Sequence, residues 1–476
     1  MSFLIYDLVF LAIFLILFSV FLYTRKHNLK KEGLLFLYKT QWGIKVINFL
    51  GTKYKRTVKV LSYISIFIGY LLTVGVLYLI YGVVKIYIFN PAIVRAVKVP
   101  PIIPLVPYLP QVFKLEFLPP FYFTYWIVIL AVIAITHEMA HGIFMRRYNV
   151  KIKSTGFAFF PWFFPIFPAA FVEQDEKSMN KSKKFEQLAI LSAGTFANVI
   201  TAILFLFVLI GFFSLTFSAS GVVFNSYATS GISVAGISMV NGVLLGNNFS
   251  YDKILSLSQE EGFNNLTYGN STFLATKKVL ENQKENDGSI VVFSDAPAIR
   301  ENLSSIITKI NGVQINSIEK LQEELSKYKP GDKITVTGII DQEPTEKEIV
   351  LEEHPDRPGS AWLGIGFFSR QSGGAFTKLI GGIASFKSPN IYYEPKFDGM
   401  SIFIYNLLWW VVIISISVAL INMLPVGIFD GGRFFYLTVL GITKREKIAR
   451  RAFAFTTYFF LFILLLLMVF WAISFM

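Results

Sequence analysis

The sequence predicts an α-helical polytopic membrane protein of about six transmembrane helices, with one polar, β-rich domain inserted between the fourth and the fifth. Three observations carry this. Hydrophobic residues make up 54% of the 476-residue chain and charged residues only 16%, where a soluble domain carries about 25% charged residues. Six apolar stretches, 3–23, 60–89, 121–145, 187–217, 402–424 and 452–475, are each long enough to cross a bilayer, which takes about 20 residues of helix. Charge is also unevenly placed: residues 218–400 hold 16 Lys/Arg and 21 Asp/Glu, and the rest of the chain holds 28 and 10.

The first stretch lacks a basic segment before it and a small-residue cleavage site after it, so it is read as a retained helix rather than a signal peptide. Lys and Arg gather in alternate loops: ten in 24–59, eight in 146–186 and five in 442–451, against three in 90–120. The positive-inside rule then puts those three loops in the cytoplasm and both termini and residues 218–400 outside, in a multi-pass protein of the cell membrane. The net charge of +13 therefore reports orientation. It forms no basic stripe on a polar domain, which argues against nucleic acid as a partner. With no cysteine in the chain, disulfides and thiolate metal ligands are excluded.

This divides the chain into an N-terminal membrane region with a basic cytoplasmic loop (1–120), a second membrane region (121–217), an outer domain (218–368), a linker or gate (369–401) and a C-terminal membrane region (402–476). In the outer domain, β-branched runs at 289–293 and 334–340 read as strands, and 318–328 has helical spacing. Sequons at Asn248, Asn265, Asn270 and Asn302 are weak pointers to the exterior. No internal repeat or low-complexity tract is apparent. Asp295-Ala296-Pro297-Ala298, Ile310-Asn311-Gly312-Val313 and Lys329-Pro330-Gly331-Asp332 together resemble the second half of a protease-associated PDZ domain. That resemblance implies a partner peptide or substrate segment, bound by strand addition to a sheet edge.

Ionisable residues inside apolar spans are costly and mark function. The third span contains His137-Glu138-Met139-Ala140-His141. One helical turn separates the histidines, so both imidazoles can reach one tetrahedral metal, and Glu138 can take a proton from metal-bound water. The bland alternative is a pair that hydrogen-bonds neighbouring helices, which would bury three polar groups for packing alone. A catalytic zinc usually has a third protein ligand. Asp430, between apolar stretches and followed by Gly431-Gly432, is the candidate; its alternative is a helix cap for 434–440. Glu173, Asp175 and Glu176 lie in a charged loop and read as solvated. His27 and His354 read as surface residues.

His-Glu-x-x-His in one span, followed later by Asn422-x-x-Pro425-x-x-x-x-Asp430-Gly431-Gly432, resembles the site-2 protease family of intramembrane zinc metalloproteases. The resemblance implies one Zn2+ per chain held by His137, His141 and Asp430, with Glu138 as general base and Asn422 holding the substrate backbone. Its implied partners are the lipid bilayer and transmembrane protein substrates already trimmed by another protease. Gly194-x-x-x-Asn198 resembles a further family element with Thr195 in place of the usual Pro. Asn198 is then either an oxyanion donor or a helix–helix hydrogen bond. Residues 155–172, broken by Pro161, Pro165 and Pro168, resemble the family's re-entrant β-loop; the alternative is an interfacial loop. His141 lies about 6 Å along the helix from Met145, which puts the site near the cytoplasmic side. The rival reading from another class is a transporter or ion pathway.

Overall fold

The computed structural model describes residues 3–474 apart from 33–34, 92–93, 96–99, 102, 104, 116–117, 160–168, 247–248, 285–287, 341–342 and 368–385. The chain divides into two compact units, residues 1–213 with 402–476, and residues 214–401.

Unit 1 contains six helices long and apolar enough to cross a membrane. They are α1 (Phe3–Thr24), α3 (Lys55–Phe89), α4 (Phe123–Arg147), α6 (Lys184–Thr216), α9 (Asp398–Asn422) and α11 (Glu446–Ile473), beside the shorter α2 (Ile44–Lys53), α5 (Glu176–Lys181) and α10 (Asp430–Thr443). The polarity of α1 is inverted relative to a soluble helix. Ile16 and Leu17 are each 64% exposed, and the buried residue is its acid, Asp7. That carboxylate accepts the backbone N–H groups of Phe123 (2.8 Å) and Thr124 (2.9 Å), the Thr124 hydroxyl (2.5 Å) and the Tyr108 hydroxyl (2.6 Å). The first N–H groups of a helix have no partner within it, and Tyr122, the residue preceding α4, makes no side-chain cap. Asp7 supplies the cap from another helix, where its charge also suits the helix dipole. At the far end, Arg146 and Arg147 occupy the last turn of α4.

The basic loop between α1 and α3 is more ordered than its charge suggests. It contributes β1 (Leu29–Glu32), β2 (Leu35–Thr40) and α2, and the strands extend a sheet made with β3 (Ile152–Phe159) and β4 (Ala169–Gln174). All pairings are antiparallel, in the order β1-β2-β3-β4. Residues 155–172 thus contain the facing parts of two paired strands, while Pro161, Pro165 and Pro168 lie outside the described residues. α2 packs on the end of α4: a side chain at Gly142 would come within 2.7 Å of Ile47, and one at Gly51 within 2.7 Å of Arg146.

Unit 2 begins with β5 (Phe217–Val223), β6 (Ser226–Tyr227) and β7 (Thr229–Ser233). There follow β8 (Ile237–Val240), β9 (Val243–Leu244), α7 (Tyr251–Leu257), β10 (Asn264–Tyr268), β11 (Ser271–Ala275) and β12 (Ser289–Ser294). The same succession of hairpin, helix and hairpin then recurs in β13 (Ile306–Ile310), β14 (Val313–Gln314), α8 (Ile318–Leu325), β15 (Lys333–Ile340) and β16 (Glu343–Val350). The expected strands are present, and the helix expected over 318–328 ends at Leu325.

The recurrence corrects the expectation that the sequence holds no repeat. Both hairpins turn on Asn-Gly with positive φ, 49° and 80° at Asn241-Gly242 and 47° and 80° at Asn311-Gly312, the geometry that two-residue hairpins favour. Asn241 N–H donates to Asn265 O and Asn311 N–H to Thr335 O, both at 2.8 Å. In return the side-chain oxygens accept from Asn265 N–H (2.9 Å) and Thr335 N–H (2.7 Å). Each copy has its own apolar core, around Ile254 and Leu266 in the first and Leu321 and Val336 in the second.

Candidate metal centre

The centre is built on one face each of α4 and α6 and on the start of α10. In α4, the one-turn spacing puts His137 and His141 side by side, 8% and 7% exposed. In α6, Ile190, Gly194 and Asn198 recur at four-residue intervals and share a face, and this face meets the histidines. His141 Nδ1 lies 2.6 Å from the carbonyl of Ile190, and His137 Nδ1 lies 3.1 Å from the amide of Asn198. Asp430 opens α10 as its first residue, so it is not the cap of a helix beginning later. Its Oδ2 lies 3.4 Å from His137 Nε2 and 3.3 Å from His141 Nε2, and the two Nε2 atoms are 3.0 Å apart.

The two separations from Asp430 match those around a metal, and the Nε2 pair, at 3.0 Å, would have to open slightly. Ligands about 2.0–2.1 Å from a tetrahedral zinc stand about 3.3–3.4 Å from one another. Among the described residues, His137, His141 and Asp430 are the group able to hold an ion. Gly194 keeps the position open: a Cβ there would lie 2.4 Å from His141 Nε2 and 2.5 Å from His137 Nε2, close to where the ion belongs. Thr195 keeps α6 continuous and bonds its hydroxyl to Ser192 O at 2.9 Å.

Glu138 is half-buried, and its Oε2 accepts the backbone N–H of Val172 in β4 at 2.9 Å. Sequence reasoning could not see this contact, because it joins α4 to a strand whose placement depends on the whole sheet. The glycines after Asp430 make room for backbone rather than for a ligand. A Cβ on Gly431 would lie 2.3 Å from Met423 C, and one on Gly432 2.4 Å from Val426 O. They let α10 pack against the chain's own preceding turn, which aims Asp430 at the histidines. Arg433 steadies the same helix end through Asn180 (2.9 Å) and Glu176 (3.3 Å).

The remaining candidates stand apart from the three ligands. Asn422 ends α9 and is half-buried. Glu173 is not a solvated loop residue: it lies in β4, bonded to Lys39 Nζ (3.0 Å) and the Ser154 hydroxyl (2.5 Å). Asp175 caps α5 through Ser178 N–H at 2.9 Å. His27 is exposed, and His354 is half-buried within 3.0 Å of Arg357.

Two histidines, a carboxylate and an adjacent glutamate, set among helices of membrane-spanning length, define a metal-dependent hydrolase site in an integral membrane protein. The model of peptidase family M50 matches residues 125–467. The chain belongs to this family, that of the site-2 proteases, and is by membership a metallopeptidase, which favours hydrolysis over the permeation alternative. No curated protein matches the chain. Among solved structures, that of GtR34C from Geobacillus thermodenitrificans is similar to part of it, at 30% identity over 15% of this chain and 84% of that one. Its TM-score of 0.14 carries no argument about the fold.

Proposed function

We propose that this protein is an intramembrane zinc metalloendopeptidase that cleaves transmembrane segments of membrane-anchored substrates. The observation that carries this is the meeting of His137, His141 and Asp430, their ligand atoms 3.0–3.4 Å apart, beside Glu138. When bound, zinc supplies Lewis acidity to the scissile carbonyl and lowers the pKa of a water. The chain's own residues do the rest. Glu138 Oε2 is held by Val172 N–H, which leaves Oε1 to take the proton of the attacking water and return it to the leaving amine.

A helical peptide bond is shielded, so the substrate must unwind before attack. β4 lies at the edge of its sheet, and the Val172 N–H turns away from β3 toward Glu138. By the two-residue period of a strand, the outward side carries the Ala170 N–H and the Ala170 and Val172 carbonyls beside the Val172 N–H that Glu138 takes. An unwound substrate strand added to that edge runs past Glu138, and Asn422 helps to hold it.

In this reading the site lies near the cytoplasmic side and residues 218–400 and both termini lie outside, as the Lys/Arg bias of the loops favours. The two Asn-Gly hairpin modules of unit 2 act as PDZ-like screens for substrates already trimmed by another protease. Deleting 218–400 then releases cleavage of untrimmed substrates. The deciding experiment is cleavage of a tagged single-span substrate by purified protein, run with wild type, Glu138→Gln and a chelated sample. Product from the wild type alone, with zinc retained in Glu138→Gln, is expected. Undiminished product from Glu138→Gln would overturn the reading.

A further inference from the structure

We propose that Asn198 is a positioning residue for the metal centre: its side-chain oxygen fixes the tautomer and ring orientation of His137, and it does not touch the reacting carbonyl. The inference rests on the metal-centre reading above. A neutral imidazole that turns its Nε2 lone pair toward a cation carries its proton on Nδ1, and that N–H needs an acceptor. For His141 the acceptor is the Ile190 carbonyl at 2.6 Å, which can only accept. For His137 the partner of Nδ1 is the amide of Asn198 at 3.1 Å, on a residue with 0% exposure.

In the present rotamer the amide nitrogen faces Nδ1, while Oδ1 is buried without a partner among the described residues. That arrangement suits the tautomer with its proton on Nε2, the nitrogen aimed at Asp430. The metal-loaded tautomer puts a hydrogen on Nδ1, and two donors would then oppose each other. Turning the amide over brings Oδ1 onto Nδ1–H. Because Oδ1 has no partner now, the turn breaks no other hydrogen bond. The two ends of an amide are nearly equal in shape, so nothing around it has to move.

The choice of an amide follows from charge. A divalent ion with Asp430 and Glu138 ionised sums to zero, whereas an aspartate at 198 would leave an uncompensated negative charge in a buried site. An amide provides the acceptor without the charge.

The test measures zinc affinity on the full-length protein in detergent, by competition with a chromophoric chelator, alongside kcat and KM. Asn198→Leu keeps the branched shape and removes the acceptor. Its zinc affinity is expected to fall about 10–100-fold, the cost of losing an outer-shell partner. Asn198→Asp restores the acceptor and is expected to bind zinc at least as tightly as wild type, an arm that stands even if the leucine variant fails to fold. Wild-type zinc affinity in Asn198→Leu with turnover lost would make Asn198 a direct donor to substrate and overturn the inference, as would a tenfold fall in Asn198→Asp. A wild type that binds no zinc would instead bring down the metal-centre reading beneath it.

Discussion

Gly194→Ala offers the sharpest test of the centre, because the added methyl falls where the ion belongs. The glycine sits inside α6, where alanine is the better helix former by about 1 kcal/mol. By that effect alone the variant is more stable. The added methyl, however, lies 2.4 Å from His141 Nε2 and 2.5 Å from His137 Nε2, where ordinary contact begins at 3.4 Å. The rings must retreat by about 1 Å, several times the ~0.2 Å latitude of a metal–ligand distance. Zinc affinity should therefore fall by at least about 100-fold, the upper end of what losing a mere outer-shell partner costs. The assay is zinc content after equilibrium dialysis against a buffered free-metal series, with thermal unfolding of the metal-free protein in parallel. Crowding two buried rings costs about 1–3 kcal/mol, which outweighs the propensity gain. The expected pair of results is therefore a metal-free melting temperature near or somewhat below that of wild type, with the protein still folded, and a lost metal. Wild-type zinc affinity in Gly194→Ala would refute the placement of the ion between the two Nε2 atoms and Asp430.

Asp7→Ala strips the cap from α4 and leaves two backbone N–H groups and two hydroxyls, buried or partly buried, without their acceptor. Its expected cost is about 1–3 kcal/mol, that of leaving neutral donors without their acceptor, read as a lower unfolding temperature in detergent, and an unchanged one would remove Asp7 from the framework. In unit 2, Glu324 is paired with Lys327 at 2.6 Å and its side chain is 3% exposed. Lys327 holds that carboxyl below its ordinary value of 4.5 despite the opposing effect of burial. The pair therefore contributes stability above pH 4.5 that is lost as pH falls further through the lowered value. Glu324→Gln should flatten the acid limb of a pH–unfolding profile, and an unaltered limb would count against the pair. Gly431→Ala forces a Cβ to within 2.3 Å of Met423 C. It should shift Asp430 and weaken zinc binding while Arg433→Ala, which removes partly exposed contacts, changes it little; equal binding in wild type and Gly431→Ala would contradict this.

What could be read from the sequence was what local spacing encodes. His137 and His141 announce themselves by a one-turn interval inside an apolar run, and Asp430 by its acid between apolar stretches. Asp7 carried the same signal, an acid in an apolar span, and marks a structural anchor where His137 marks chemistry. The contacts that complete the centre join residues far apart in sequence, Glu138 to Val172 and Asn198 to His137, and no periodicity reports them. The repeat in unit 2 escaped because its copies share little beyond Asn-Gly-Val and alternating apolar positions, while their loops and charges diverge. β1 and β2 were hidden by their lysines: Leu35-Phe36-Leu37-Tyr38 has strand character, but the surrounding charge reads as a loop.

The family match begins at residue 125, yet the helix bearing His137, Glu138 and His141 is held by residues on the near side of that boundary. Asp7 fixes the start of α4, and Ile47 packs on Gly142, the residue after His141. Between these points, Ile190 and Asn198 grip the rings from α6, and β4 takes the glutamate. A helix clamped at both ends cannot slide or turn without breaking buried hydrogen bonds, and a displacement of about 1 Å at a reacting centre can cost about 100-fold in rate. The chemistry of the site therefore resides within the matched segment, but its precision depends on the first helix and the basic loop. The N-terminal region thus supports the helix that bears the metal ligands, at its start through Asp7 and beside His141 through Ile47.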